Sequence, residues 1–241
     1  MADGGARFTW YGHACIEVVT ATGTVVLLDP WFGNPRSPKP AGQATRCDLL
    51  LVTHGHGDHV GDAIELATRL GPTWPAIHEM SLWAGPQVGP ETTVIGMNKG
   101  GSVSVAGLRV TMVRAEHSAG GPVEGPAAAY LGEPVGFVVE LEDGLRIYHA
   151  GDTDVFGDMA LIRELHRPDI AFLPIGGHYT MDPRAGAKAV ELLGVPRVVP
   201  IHYGTFDALA STPDQLRSAL QARGLADVQV ISPEPGYPVA L

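Results

Sequence analysis

Leu50-Leu51-Val52-Thr53-His54-Gly55-His56-Gly57-Asp58-His59 is the stretch on which the reading of this chain turns. An apolar run from Asp48 to Val52 leads straight into three histidines and an aspartate within six residues. The run predicts a strand over Asp48–Thr53, which delivers the cluster to a sheet edge. Imidazole nitrogens and a carboxylate are the donors a divalent transition metal takes. The two interleaved glycines let the backbone turn tightly enough for several side chains to converge. Four candidate ligands in so short a span point to more than one ion.

Outward from the cluster, short apolar runs predict strands over Arg7–Tyr11, Ala14–Thr20 and Thr24–Leu28, with a hairpin turn at Ala21-Thr22-Gly23. Asp29-Pro30 closes the third, and Trp31 to Arg46 reads as a long loop. Asp62–Leu70 reads as a helix with Asp62 and Glu65 at capping-box spacing. Further strands are predicted at Thr92–Ile95, Ser102–Val105, Leu108–Val113, Val135–Leu141, Leu145–His149, Asp169–Leu173, Arg197–Ile201 and Val228–Ile231. Helices are predicted at Met159–His166, Arg184–Leu193 and Pro213–Arg223. Ser118 to Pro134 is a second long loop, of the kind that serves as a lid. Helices interleave with strands in both halves while hairpins dominate the middle, which favours two packed sheets with helices outside over one doubly wound sheet.

Composition bounds the function. The chain has 241 residues, 45% of them hydrophobic and 17% charged, with 31 glycines and 20 prolines between the apolar runs. That suits a single domain over residues 1–241 built of short elements and tight turns. A net charge of −10 argues against nucleic-acid binding, which calls for basic patches. Two divalent ions with two carboxylates and one hydroxide would still leave a net positive centre, compatible with an anionic small molecule. Cys15 and Cys47 form no framework of disulfides, the N-terminus lacks a leader pattern, and no apolar run approaches a membrane span. The expectation is a cytoplasmic protein acting on a small-molecule substrate, without nucleic-acid or membrane partners.

Three more ligand-type residues fall where predicted strands meet loops: His117 after Leu108–Val113, Asp152 after Leu145–His149, and His202 after Arg197–Ile201. With the opening cluster they complete a recognisable pattern. The chain resembles the metallo-β-lactamase superfamily, and within it the UPF0173-type metal-dependent hydrolases related to ascorbate-6-phosphate lactonases. The resemblance rests on Tyr11-Gly12-His13-Ala14, Leu28-Asp29-Pro30, Thr53–His59 with Val60-Gly61-Asp62, Gly96–Gly101, Ala115-Glu116-His117-Ser118, His149-Ala150-Gly151-Asp152-Thr153, Leu173–Gly177, Tyr179-Thr180-Met181 and Pro200-Ile201-His202-Tyr203. These run in the family's order through almost the whole chain.

The resemblance implies an α+β, four-layer αββα sandwich of two mixed sheets with the metals at one edge. It implies that His54, His56 and His117 hold one ion, that Asp58, His59 and His202 hold the other, and that Asp152 bridges them. The implied chemistry is a dinuclear hydrolase in which a metal-bridged hydroxide attacks an ester-like bond in a lactone or phosphorylated metabolite. Zinc ranks first as the ion, with manganese, iron and nickel as alternatives. A homo-oligomer is compatible with the family. Flavodiiron relatives carry a carboxylate where this chain has His56, and nuclease relatives carry an insertion for which there is no room. A phosphodiesterase and a mononuclear iron persulfide dioxygenase stay open as alternatives, and a metal-loaded sensor without turnover is the third.

Around the ligands, Asp29 is expected to orient a ligating histidine through its second N–H. His13 is expected in the pocket, hydrogen-bonding substrate or moving a proton, with Asp58 as a further catalytic candidate. His178, in Gly176-Gly177-His178, is a candidate proton donor to a leaving group. His149 reads as a core histidine, and His78 and His166 as structural or exposed. Gly96–Gly101 reads as a tight turn without the ending of a phosphate-binding loop. Lys99, Arg36 and Lys39 read as surface charges.

Overall fold

The computed structural model describes residues 5–121 and 129–241. The centre of the loop at Ser118–Pro134 and the first four residues lie outside the described residues. The chain begins with a meander, β1 (Arg7–Trp10), β2 (Ile16–Val19) and β3 (Val25–Leu28), and continues through β4 (Leu49–Leu51), α1 (Gly57–Val60), α2 (Ala63–Leu70), β5 (Thr73–Ile77), α3 (His78–Ala84) and β6 (Thr93–Met97). A second meander follows, β7 (Ser102–Val105), β8 (Leu108–Arg114), β9 (Val135–Glu140) and β10 (Arg146–His149). Then come α4 (Met159–His166), β11 (Ile170–Pro174), α5 (Pro183–Leu193), β12 (Arg197–Ile201), α6 (Pro213–Ala222), β13 (Gln229–Val230) and β14 (Pro238–Ala240).

Two seven-stranded sheets result, ordered β14-β1-β2-β3-β4-β5-β6 and β13-β12-β11-β10-β9-β8-β7. In each, an antiparallel meander passes into parallel strands, at β3–β4 in the first sheet and β10–β11 in the second. Short turns join β1–β2, β2–β3, β7–β8 and β9–β10, while a long connection joins β8 to β9 and β14 returns to β1 from far along the chain. The parallel strands need crossovers, most of which place helices against the sheets. Parallel strands are covered on both faces and read as continuous apolar runs. Accordingly Val25–Leu28, Leu49–Leu51 and Ile170–Pro174 are buried throughout. The inner faces meet in one hydrophobic cluster, in which Phe8 packs edge-on to Phe172 of the opposite sheet at 5.1 Å. The expected αββα sandwich is what the chain adopts.

Local departures have physical causes. Asp62 does not cap α2 with its side chain; its carboxylate accepts the Phe32 N–H at 2.7 Å and anchors the 31–46 loop. The His54–His59 cluster is only partly loop, since Gly57–Val60 forms a helical turn that carries Asp58 and His59. β5 contains Pro75 and passes into α3 without a Gly or Pro break, so no local signal separates strand from helix. Lys99 is no free charge, for it pairs with Glu133 beside the tight turn closed by Gly101 N–H to Asn98 C=O. Arg36 and Lys39 lie over aromatic rings, Arg36 on Trp10 and Tyr203, Lys39 on Tyr11 and Phe32.

The carboxyl ends of β3, β4, β10, β11 and β12 gather at one edge, the edge where α/β proteins bind ligands. Backbone hydrogen bonds lock the two sheets together there: His202 N–H donates to His13 C=O at 2.9 Å and Val135 N–H to Thr53 C=O at 3.0 Å.

Candidate metal centre

Seven candidate ligands, with His13 beside them, converge on this edge from both sheets. His54, His56 and His117 bring one nitrogen each to within 4.8 Å of one another; His54, His59 and Asp152 form a second such group, and His13, Asp58, His59 and His202 a third. The groups are contiguous. Asp152 lies between them, with Oδ2 3.1 Å from His202 Nε2 and 3.6 Å from His117 Nε2, and Oδ1 3.3 Å from His59 Nε2. His54 Nε2 and His56 Nδ1 approach to 2.9 Å.

Hydrogen bonds behind the cluster set the tautomers. Asp29, fully buried after β3, accepts Thr53 N–H on Oδ1 and Thr53 Oγ1–H, His59 Nδ1–H and His149 Nε2–H on Oδ2, all at 2.8–2.9 Å. The Thr53 hydroxyl spends its proton on Asp29 and so accepts from His54 Nδ1–H at 3.1 Å. His54 therefore turns a bare Nε2 lone pair to the cluster, the form in which imidazole binds metal. His59, held at Nδ1 by Asp29, points Nε2 there too, although, against the opposition of burial, Asp152 and Asp29 raise its pKa. His149, the expected core histidine, proves to be a supporting member of this network.

Charge follows the geometry. Burial opposes ionisation of Asp29, but His59 and His149 hold its carboxyl well below the usual range. Burial likewise opposes ionisation of Asp152, and His59 and His202 outweigh it. Burial also opposes charge on His202, yet Asp152 lifts it to about 9. His54, His56 and His117 are lowered, chiefly by burial, which favours the neutral ligating form.

The residues fit a metal on a direct observation. His59 Nε2, His202 Nε2 and Asp152 Oδ1 are buried with no hydrogen-bond partner. Buried polar atoms are nearly always satisfied, and three orphans facing one another are what a cation satisfies. The backbone is also strained here: His13, Asp29 and His202 are non-glycine residues at φ of 51°, 44° and 54°. Such strain persists where the surroundings over-determine it, and it concentrates at functional sites.

Over the cluster opens a cleft of about 260 Å³, lined by His56, Asp58, His117, Asp152 and His202 together with Ser118 and Tyr179. A larger depression of about 520 Å³ beside Arg109 and His166 shares no residue with it; donor convergence rather than size marks the site. His13 is fully buried, Nε2 on Asp58 Oδ2 at 2.9 Å and Nδ1 on Thr205 Oγ1 at 3.0 Å, so it contacts a cleft residue without facing the cleft. Burial lowers its pKa to about 4, against the opposing pull of Asp58. His178 is exposed and lines a separate depression with Ser211 and Gln215. The cleft residue from that turn is its neighbour Tyr179, which the sequence reading assigned no role. The signal available for it was its place in the same glycine-rich turn. Thr53 and Thr205 were also passed over, because a threonine beside a ligand carries no pattern of its own.

Two sheets with a histidine–carboxylate cluster at their common edge define a metal-dependent hydrolase of the β-lactamase superfamily. Residues 24–203 match the family model of the β-lactamase superfamily domain. A UPF0173 metal-dependent hydrolase of Koribacter versatilis is 45% identical over 230 residues, covering 95% of this chain and 96% of its own. Another, from Methanopyrus kandleri, is 46% identical over 231 residues, covering 95% and 97%. The chain belongs to the UPF0173 family of metal-dependent hydrolases. Among solved structures, Igni18, a metallo hydrolase from Ignicoccus hospitalis, superposes with a TM-score of 0.86 at 35% identity over 98% of both chains. The isothiocyanate hydrolase from Delia radicum gut bacteria shares the fold, with a TM-score of 0.74 at 21% identity over 98% of this chain and 99% of its own.

Proposed function

We propose that the protein is a dinuclear hydrolase of a small carboxylic ester or lactone, with His54, His56 and His117 holding one divalent ion and Asp58, His59 and His202 the other. Asp152 is shared between them. The observation that carries this reading is the set of orphaned buried donors, His59 Nε2, His202 Nε2 and Asp152 Oδ1, opposite the trio His54, His56 and His117. Ions bound there supply Lewis acidity and acidify a water near neutral pH. Zinc fits the nitrogen-rich donor set.

The chain's own residues do the rest. Asp29 and Thr53 hold the Nδ1 protons of His59 and His54, so each ligand keeps one tautomer and one orientation. His13 steadies the Asp58 carboxylate from beneath, and Thr205 fixes the His13 ring. Against the opposition of burial, His13 and His202 hold the Asp58 carboxyl well below the usual range, which suits a ligand better than a proton acceptor. Tyr179 and Ser118 stand at the cleft with hydroxyls able to meet a substrate oxygen.

The test is metal content by plasma mass spectrometry, followed by a panel of lactones, carboxylic esters, phosphodiesters and thioesters. We expect two ions per chain and turnover confined to the carboxylic esters or lactones. His56→Ala and Asp152→Ala should lose metal and turnover while keeping the far-UV spectrum of the folded chain. Full activity in metal-depleted Asp152→Ala, or one iron per chain with oxygen uptake, would refute the proposal.

A further inference from the structure

Building on the hydrolase reading above, we infer that the substrate bears a neutral, flat apolar group, such as an aryl ring, which lies on an aromatic shelf made by Trp31 and Phe206. Phe206 follows His202 by four residues and leaves 45% of its surface exposed. Its ring centre lies 6.1 Å from that of Trp31, tilted by 33°. Both rings rest on His13, at 5.2 Å for Trp31 and 5.9 Å for Phe206. His13 in turn touches Asp58 at 2.9 Å and packs on the His202 ring at 3.9 Å. The shelf thus stands one imidazole away from the Asp58–His202 side of the cleft. Its position is fixed: Trp31 packs under Gly61, where an added Cβ would come within 2.7 Å of its backbone, at the end of the turn that carries Asp58 and His59. Tyr179, 59% exposed, is the aromatic of the cleft wall itself; Trp31 and Phe206 stand outside that wall, behind Asp58 and His202.

The charges argue for a neutral group. Among the described residues no Lys or Arg lines the cleft itself; Lys99 and Arg114 line an adjoining depression of about 450 Å³ that shares His117 with it. The cations of the surrounding loops are already engaged. Arg36 lies over Trp10 and Tyr203 and donates to Tyr203 C=O at 3.2 Å. Lys39 lies over Tyr11 and near Glu17 at 3.6 Å. Lys99 pairs with Glu133, and Arg114 with Glu116 at 2.6 Å. A phosphate or carboxylate on the substrate would compete with these partners for the cations, whereas an apolar ring covers exposed aromatic surface without such competition. Binding sites commonly join an apolar wall to a few fixed polar groups, and aromatic pairs gain beyond the area they bury.

Hydroxamates bind catalytic metals and are not turned over, so they separate the shelf from the chemistry. Calorimetric affinities would be measured on the zinc-loaded protein for acetohydroxamate, phenylacetohydroxamate and the anionic monohydroxamate of succinate. The phenyl compound is expected to bind about tenfold tighter than the methyl one, the scale of one good aromatic contact. Phe206→Ala and Trp31→Leu should each cut that gap to about threefold or less, the gap being the ratio of the two affinities within each variant. Tyr237→Ala, an exposed aromatic of β14's approach, should leave the gap intact. Equal affinities, tightest binding of the anionic compound, or a gap that survives both shelf substitutions would overturn the inference alone. Failure of acetohydroxamate to bind would overturn the metal-centre reading and the shelf with it.

Discussion

Asp29 is the residue on which the others lean. One buried carboxylate accepts four hydrogen bonds and sets His59 directly and His54 through Thr53. Asp29→Asn replaces an acceptor oxygen by a donor facing donors. It should weaken metal binding by about 10–100-fold, the usual effect of losing a ligand's outer partner. It should also cost about 1–3 kcal/mol for each buried donor left unpaired. Chelator-competition titration and urea unfolding would read the two effects; wild-type values in both would sink this account of Asp29. The role was legible in the sequence as an Asp-Pro at a strand end. The extent of it was not, because His149 and Thr53 meet Asp29 only when separate strands are brought together.

At the level of elements, the site depends on how closely two turns approach. Gly176, after β11, lies so near the turn after β12 that an added Cβ would sit 2.0 Å from the His202 carbonyl oxygen. Backbone cannot yield as a flexible side chain does. Gly176→Ala should therefore displace His202 and lower metal content from two ions toward one, with the His54, His56 and His117 trio still loaded. Gly85→Ala, where a Cβ meets open space, is the matched control. Equal metal content in the two variants would argue that His202 is not a ligand. Gly151 acts in the same way on the other side: at φ of 60° its missing Cβ leaves room for Thr53, 2.6 Å from where that atom would be. Most elements were readable from apolar runs and punctuation, α4 to the residue. β5, α3 and β14 were not: β5 carries a proline and α3 follows it without a break. β14 is a three-residue strand whose reason to be extended is its pairing with β1, far away in sequence.

Across the whole molecule, the proposed ligands are divided between the sheets. His54–His59 come from the first, and His117, Asp152 and His202 from the second. Metal bound between them ties the sandwich together at its open edge. Chelation should then lower stability by about 2.7 kcal/mol for each ion removed, when free metal had stood at about a hundred times its dissociation constant. For a chain of this size that is a fall in Tm of roughly 5–10 °C per ion. A thermal melt with and without chelator would show it, and unchanged melting would mean that no ion binds the folded chain in preference to the unfolded one.

By itself the sequence determined the donor chemistry, because residue types and their spacing after a buried strand are local properties. It likewise determined the two-sheet architecture, because the periods of apolar runs and their punctuation are local too. Only the tertiary structure decided that His13 lies buried beneath Asp58, that Tyr179 rather than His178 stands at the cleft, and that the neighbouring cations lie against aromatic rings and carboxylates. Those outcomes depend on which distant turns are pressed together at one edge, and no periodicity along the chain records the direction in which a side chain leaves a turn.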